Sequence, residues 1–512
     1  MTHAARLPAA STSAPRPNWF FPTRPGTAAY RMFLTGTIWM LIGMTYGLLM
    51  ALYLAHPQVW AHIPLDLQQF LVWSKMRELH VQLVLWYWLS MGSVAGMYFI
   101  VPRLCRAPLW SERLAHLSVW LWNLAGLTTW VTLSLGMSRG REYAETILPV
   151  DVLLLGALLC ATLNIVNTVR FRRERPLYVS LWYSLSAVLA LPIVIVIGKG
   201  LWLNPLNNPY QGIYDNVTNW FFGHNILGMW YTPAGIGLAY FLIPKITKRP
   251  IYSHWLSLVG FWTLIFVYPP VGGHHSVTSA LPYWLQTEAI MFSIFLFIPV
   301  FAAVWNLYKS VQPNTQMLAQ DPALAFVVFG LTCYLLTSVQ GSIMALRTLN
   351  IYEHFSQFTV GHAMLAMGAG FSAIALGAGY YLVPRVTGHP MYSRALAWWH
   401  LALFGTGWVV LLLFLQTAGL VQSANWRVGG QDWMDSTVWP TQPLMWPVAG
   451  GGVLIIASTL IFVYNIVRTV YDRSWVPKHM PDPASLPVPT VRDPEPQPQS
   501  QGPNLPPATA TD

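Results

Sequence analysis

Apolar runs of about 20 residues, repeated from near residue 29 to near residue 467, constrain this chain more than any other feature. A run of that length is what one helix needs to cross a hydrocarbon core about 30 Å thick. Lipid offers no partner for backbone N–H and C=O groups, so runs this long are expected to be helices that pair their own backbone. About twelve spans are legible, at 29–55, 78–101, 115–136, 149–169, 179–199, 219–243, 254–270, 284–307, 323–345, 358–383, 395–420 and 446–467. Only 9% of the 512 residues are charged and 54% are hydrophobic, where ordinary soluble domains carry about 25% charge. So little charge cannot solvate a globule of this size. The expectation is an all-α, multi-pass membrane protein. Its twelve-helix domain covers 29–470, after a polar segment 1–28 and before a Pro-rich tail 471–512 whose composition suits disorder. Residues 1–27 lack the apolar region and cleavage site of a signal peptide.

The formal net charge of +10 reads as loop bias rather than as a nucleic-acid surface, because basic residues collect on the inner side of a membrane protein. Arg103, Arg106 and Arg113 follow span two. Arg170, Arg172, Arg173 and Arg175 follow span four, Lys245, Lys248 and Arg249 span six, and Arg385 and Arg394 span ten. The alternate loops are poorer. Both termini are therefore expected in the cytoplasm, in what reads as a bacterial inner membrane. That orientation brings His80, His224, His274, His275 and His362 to one level near the outer side. Ionisable groups at membrane depth suggest function. The three cysteines, Cys105, Cys160 and Cys333, are scattered and read as core packing. With no C-x-x-C-H, haem is not attached covalently.

Imidazole is a preferred ligand of copper, iron and zinc. Adjacent residues of a regular helix diverge by about 100°, so His274 and His275 need an irregular backbone to converge. Tyr268-Pro269-Pro270-Val271-Gly272-Gly273 just before them supplies it. Gly223-His224-Asn225 lies at matching depth. The bland alternative is a polar loop with incidental histidines. In Arg77-Glu78-Leu79-His80, one turn puts arginine and histidine on one face, which suits imidazole on a haem iron and guanidinium near the propionates; a helix-end arginine beside a packed histidine would look the same. In Thr359-Val360-Gly361-His362-Ala363-Met364, His362 and Met364 are about 200° apart, so one helix offers a ligand on each side.

These motifs, in this order across twelve spans, resemble subunit I of the haem-copper oxidase superfamily, most of all cbb-type cytochrome c oxidases, with nitric oxide reductases as near relatives. The resemblance covers about residues 30 to 470. It implies copper on His224, His274 and His275, a high-spin haem on His362, and a low-spin haem on His80, with propionates held by Arg77, Arg347 and His354. It implies a calcium site at Glu142 and Glu145; a solvated outer loop is the plain alternative. It makes Tyr268 the active-site tyrosine, which is cross-linked in the family to the ligand corresponding to His224. It puts Thr232, Tyr240 and Ser257 on a proton path from the cytoplasm, where hydroxyls bonded only to their own helix are the plain alternative. Gly228, four residues after His224, stands where mitochondrial-type oxidases carry their tyrosine and classical nitric oxide reductases an iron-binding glutamate; its presence favours copper.

Two positions depart from the family pattern. The second histidine of H-x-H on span ten is Met364 here; His80/Met364 coordination is chemically sensible and raises reduction potential, while simple packing is the alternative. Gln340 replaces the glutamate expected on span nine; it keeps a hydrogen-bonding shape but cannot exchange a proton. The expected protein is the catalytic subunit of a respiratory terminal oxidase with two b-type haems and one copper ion, reducing oxygen to water with electrons from a membrane-anchored cytochrome c or cupredoxin subunit. Nitric oxide reduction is the nearest alternative. A transporter without haem is a remote one.

Overall fold

In the computed structural model, residues 19–201 and 210–471 are described. The expected segments 1–28 and 471–512 therefore lie mostly outside the described residues. Among the described residues, ten helices are long and apolar enough to cross a membrane: Thr27–Ala55, Trp73–Cys105, Leu148–Arg170, Val179–Gly198, Ile213–Thr247, Tyr283–Ala319, Pro322–Met344, Gln357–Thr387, Arg394–Val428 and Met434–Tyr471. Glu112–Ser134 and His254–Val267 take the third and seventh places. A helix thus stands at each of the twelve apolar runs. His254–Val267 has only 14 residues, about 21 Å at 1.5 Å per residue; Pro269 and Pro270 end it and a tight turn, Val271–Ser276, follows. Spans two and six are buried nearly throughout, whereas spans one, eleven and twelve keep most of their apolar surface outward.

Trp86, Trp88, Trp122, Trp230 and Tyr231 fill the interior around span two, and each of the last four has a partner for its polar tip. Trp88 donates to Ser372 Oγ at 3.0 Å, Trp122 to the Trp86 carbonyl at 2.8 Å, Trp230 to Ser90 Oγ at 3.0 Å and Tyr231 to the Leu85 carbonyl at 2.8 Å. Buried aromatics with polar tips need such partners, since an orphaned group costs roughly 1–3 kcal/mol.

A threefold internal repeat underlies the helix order. Pro102, Pro108 and Ser111 recur with the same spacing as Pro244, Pro250 and Ser253, and again as Pro384, Pro390 and Ser393. Each serine caps the following helix, accepting from Leu114, Leu256 or Leu396 N–H at 3.1, 3.2 and 3.2 Å. Each serine backbone is then clasped by an asparagine two spans later. Asn164 takes Ser111 N–H (3.0 Å) and donates to its carbonyl (2.8 Å); Asn306 does the same for Ser253 (2.8 and 2.7 Å) and Asn465 for Ser393 (3.0 and 2.8 Å). Thr168, Ser310 and Thr469, one turn on, accept from the preceding residue's N–H at 2.9, 2.9 and 3.0 Å. The clasp pairs loop backbone groups left open at helix ends.

The repeat continues at the other end of the same spans. Span two widens into a π-helical turn at Leu83–Leu89, span six at Leu227–Tyr231 and span ten at Leu365–Phe371. Each begins three residues after a histidine: His80, His224 and His362. A π-turn shifts helix register and is a frequent companion of functional sites. A fourth, Met434–Val438, opens span twelve.

Candidate metal centre

The ligand atoms of His224, His274 and His275 lie within 4.8 Å of one another. His224 reaches the group from span six, and the turn after the two prolines swings the adjacent pair toward it. His275 Nε2 and His224 Nδ1 are 3.2 Å apart. Two imidazole nitrogens on one tetrahedral ion, with bonds of ~2.0 Å, stand about 3.3 Å apart. His274 Nδ1 lies 2.7 Å from Ser293 Oγ, whose own hydrogen goes to the Ala289 carbonyl at 2.7 Å. Nδ1 must therefore be the donor, and Nε2 keeps its lone pair. His224 Nε2 is buried without a protein partner. The residues present fit a metal ion.

The walls of this site are built from the same two segments. Trp220 stacks on His275 with centroids 3.8 Å apart and planes 5° from parallel. Gly272 presses on the Trp220 carbonyl so closely that any side chain there would overlap it. Asn225 donates to the Pro269 carbonyl at 3.0 Å and to Phe221 at 2.8 Å, tying the proline turn to span six. Tyr268, buried, lies face to face with His224 at 4.9 Å and 18°. A Cβ at Gly228 would fall inside the Tyr268 ring. Glycine at 228 is therefore what makes room for the tyrosine that arrives from span seven.

His362 and His80 show the same half-satisfied pattern as His274. His362 Nδ1 lies 3.1 Å from Gln340 Oε1, which also accepts from Gln416 Nε2 at 3.2 Å. With Oε1 as the acceptor, the His362 proton sits on Nδ1 and Nε2 is left open. His80 Nδ1 donates to the Gly43 carbonyl at 2.8 Å, and a Cβ on Gly47 would come 2.7 Å from its ring. A ligating histidine anchors one nitrogen and offers the other, and His362 and His80 both have this form. His362 is close enough to His224, His274 and His275 for charges on them to interact. Met364 is half-buried against the core at the last residue before the π-turn.

Arg77 sits between the two glutamates expected to hold calcium. Its Nη2 donates to Glu142 Oε1 at 2.7 Å and its Nη1 to Glu145 Oε1 at 3.0 Å. Glu145 also accepts from Gln82 at 2.5 Å and from Tyr143 N–H at 3.1 Å. Burial pushes the Glu145 carboxyl up, and Arg77 draws it back down. One guanidinium thus faces two carboxylates in this structure. Arg347 donates to Thr287 Oγ1 at 2.7 Å and lies over the Tyr283 ring at 3.9 Å, with Nε buried and unpartnered. His354 packs edge-on against Phe355.

Tyr240 and Ser257 are joined by a residue that sequence reasoning passed over. Asn306 donates to Tyr240 Oη at 3.2 Å and to Ser257 Oγ at 2.9 Å. Tyr183 stacks on Tyr240 at 5.7 Å, its hydroxyl buried and unpartnered. Thr232 is buried midway along span six between Tyr240 and His224. Gln340 is not in this group; it stands at His362. Ser293, Trp220, Asn225 and Asn306 were all missed. Only Asn306 had a readable signal, the recurring Pro-x5-Pro-x2-Ser loop and the asparagine that follows each copy.

The family described as "Cytochrome C and Quinol oxidase polypeptide I" matches residues 27–454. The chain is 30% identical over 448 residues to "Cbb3-type cytochrome c oxidase subunit CcoN1" of Stutzerimonas stutzeri, covering 85% of this chain and 92% of that one. It is 29% identical over 443 residues to "Cytochrome c oxidase subunit 1 homolog" of Agrobacterium tumefaciens (strain T37), covering 84% and 81%. A solved structure, a haem-copper terminal oxidase dimer, superposes with a TM-score of 0.72 at 14% identity over 87% of this chain and 84% of that one, which speaks for the fold. On these matches, with three converging imidazoles in a twelve-helix membrane bundle, the chain belongs to the cytochrome c and quinol oxidase polypeptide I family and is an oxidoreductase subunit of the haem-copper type.

Proposed function

We propose that the chain is the catalytic subunit of a cbb-type terminal oxidase. It would take electrons from a cytochrome c or cupredoxin subunit and reduce oxygen to water. The observation that carries this reading is Tyr268 stacked on His224 within the three-histidine cluster, in the room that Gly228 leaves. When bound, copper and two haems would pass the donor's electrons on to oxygen. His224, His274 and His275 would hold copper. His362 would offer Nε2 to a high-spin haem, and His80, with Met364 from the far face of span ten, would hold a low-spin one. Ser293 and Gln340 fix the protons of His274 and His362 on Nδ1, so that neither ligand needs to lose a proton on binding. Arg77 and the unpartnered Nε of Arg347 are the donors for haem carboxylates, with His354 beside them. Arg77 also pairs with Glu142 and Glu145, and the negative charge it leaves there would suit calcium.

Tyr268 would deliver a proton from its Oη to the reacting oxygen. The chain behind it is Tyr240, Asn306 and Ser257, with Thr232 above. An amide passes a proton only by turning, so Asn306 orients the two hydroxyls rather than ionising. Gln340, bonded to His362, cannot exchange a proton, and this favours nitric oxide reduction to nitrous oxide as the second reading. The purified chain with its donor should show a Soret band, one copper per chain and rapid oxygen uptake. Tyr268→Phe should lower that uptake by at least ~100-fold with copper retained. Unchanged oxygen uptake in Tyr268→Phe, or consumption of nitric oxide only, would sink the oxidase reading.

A further inference from the structure

Between spans nine and ten the chain makes a two-turn helix, Arg347–Glu353. Arg347, Asn350 and Glu353 recur every third residue and so share a face. Each carries a buried polar atom with no protein partner: Arg347 Nε, Asn350 Oδ1 and Glu353 Oε2. Asn350 and Glu353 are buried residues, and the Asn350 amide hydrogens already go to the Met344 carbonyl at 3.2 Å. Orphaned polar atoms cost roughly 1–3 kcal/mol each. Three on one face mean that the face is completed by something else. A haem carboxylate, on the reading above, gives Arg347 Nε its acceptor. It leaves two oxygens that both need a donor.

Among the described residues, no neighbouring cation supplies one. On span eleven, Arg427 is turned to the Ile351 carbonyl at 2.7 Å and the Tyr352 ring. On span ten, His362 has its proton on Gln340. Span nine carries only Tyr334 and Cys333, both deeper, and span eight carries Glu288 beside the Thr287 that binds Arg347. His354, next in the chain, is within electrostatic reach of His274 and His275, and the Glu353 carbonyl accepts from Thr359 Oγ1 at 2.8 Å, which ties this helix to the start of span ten, three residues before His362. A proton on Glu353 answers the need, because it turns an acceptor-only group into a donor. Burial, with no opposing charge, pushes this carboxyl up to about 7, where protonated and ionised forms are both populated.

We propose that Glu353 binds one proton when the haem on His362 is reduced and gives it up when that haem is oxidised. The inference rests on the haem reading of His362. An added electron near the carboxyl raises its proton affinity by Coulomb attraction, and by linkage the same proton makes the haem easier to reduce. One electron and one proton balance. Below a pH of about 7 the carboxyl is neutral and the potential high; as pH rises through that value the charge appears and the potential falls.

The test is a redox titration of the full-length enzyme with its haems, following the high-spin haem spectrum at pH values on either side of 7. The wild type should show a potential that falls with rising pH. Glu353→Gln, which mimics the protonated form, should hold the high-potential value and lose the slope, and Glu353→Asp should keep a slope with a displaced midpoint. The reduced-minus-oxidised infrared difference should contain a protonated-carboxyl band that Glu353→Gln removes and Glu288→Gln does not. An equal slope in wild type and Glu353→Gln overturns the proposal. So does a potential that shifts on chelator treatment in the wild type alone, which would put a bound cation on this face. Absence of any Soret band in the wild type fails the haem reading instead, and is thereby told apart.

Discussion

All three repeats use the same clasp, and the second and third differ in the side chains that follow it. At the second, Asn306 holds Ser253 and also reaches Tyr240 and Ser257. At the third, Asn465 holds Ser393 and also meets Tyr380, which corresponds to Tyr240 in the repeat and whose hydroxyl lies 2.9 Å from His400 Nδ1. His400 stands where the second repeat has Gly260. Its ring is fully buried among Phe326 at 4.6 Å, Phe462 at 5.0 Å and Phe404. Above it, Phe404 and Trp408 continue along span eleven, with Trp408 against Gly368. Hydroxyls therefore follow the clasp at the second site, and an aromatic plug follows it at the third. The clasp is architecture; the side chains above it decide whether a proton has a way through.

The sharpest way to break this comparison is to cut both clasps. Asn306→Ala and Asn465→Ala each leave a serine N–H and C=O unpaired and should each cost about 1–3 kcal/mol in thermal or denaturant unfolding. Only Asn306→Ala should also slow turnover, by roughly 10-fold or more, because only it orients a path. Equal turnover losses in the two variants would show that the clasp acts on activity through stability alone. A smaller contrast comes from the hydroxyls. Tyr240→Phe should lower steady-state oxygen uptake by about 10- to 100-fold, the lower range for removing a proton-transfer group, while Tyr380→Phe should stay within about twofold of the wild type. A comparable fall in Tyr380→Phe would mean that the third repeat also conducts.

What could be read from the sequence follows from how local each signal is. Twelve helices were legible because bilayer thickness imposes run length on each segment separately. His224, His274 and His275 were legible because two prolines and two glycines sit next to the pair, and His362 and His80 because their neighbours matched known motifs. The protonation geometry was not. Gln340 was read as a lost proton carrier on a path, whereas its carbonyl oxygen anchors His362, a contact between residues 22 positions apart that no spacing rule describes. Arg77, on span two, pairs with Glu142 and Glu145 of the loop before span four, contacts 65 and 68 positions apart that no spacing rule describes. The π-turns after His80, His224 and His362 are set by packing between helices and leave no local mark in composition.

The smallest effect separates the two repeats on stability rather than activity. His400 Nδ1 and the Tyr380 hydroxyl share one hydrogen bond, and His400 Nε2 is buried without a partner. The third repeat thus carries an unsatisfied ring nitrogen. Removing His400 alone takes away that nitrogen but leaves the Tyr380 hydroxyl only its contact with Asn465. Removing both partners at once leaves apolar rings of similar shape in an aromatic cage, and such paired replacements are near neutral or stabilising. The double variant Tyr380→Phe/His400→Phe should therefore unfold within about 1 kcal/mol of the wild type, with unchanged turnover. The equivalent removal at the second repeat, Tyr240→Phe/Ser257→Ala, should also be tolerated by the fold, yet it should abolish most turnover. If the third-repeat pair instead costs several kcal/mol, the buried His400 nitrogen has a partner such as an ordered water, and the plug is wetter than its aromatic lining implies.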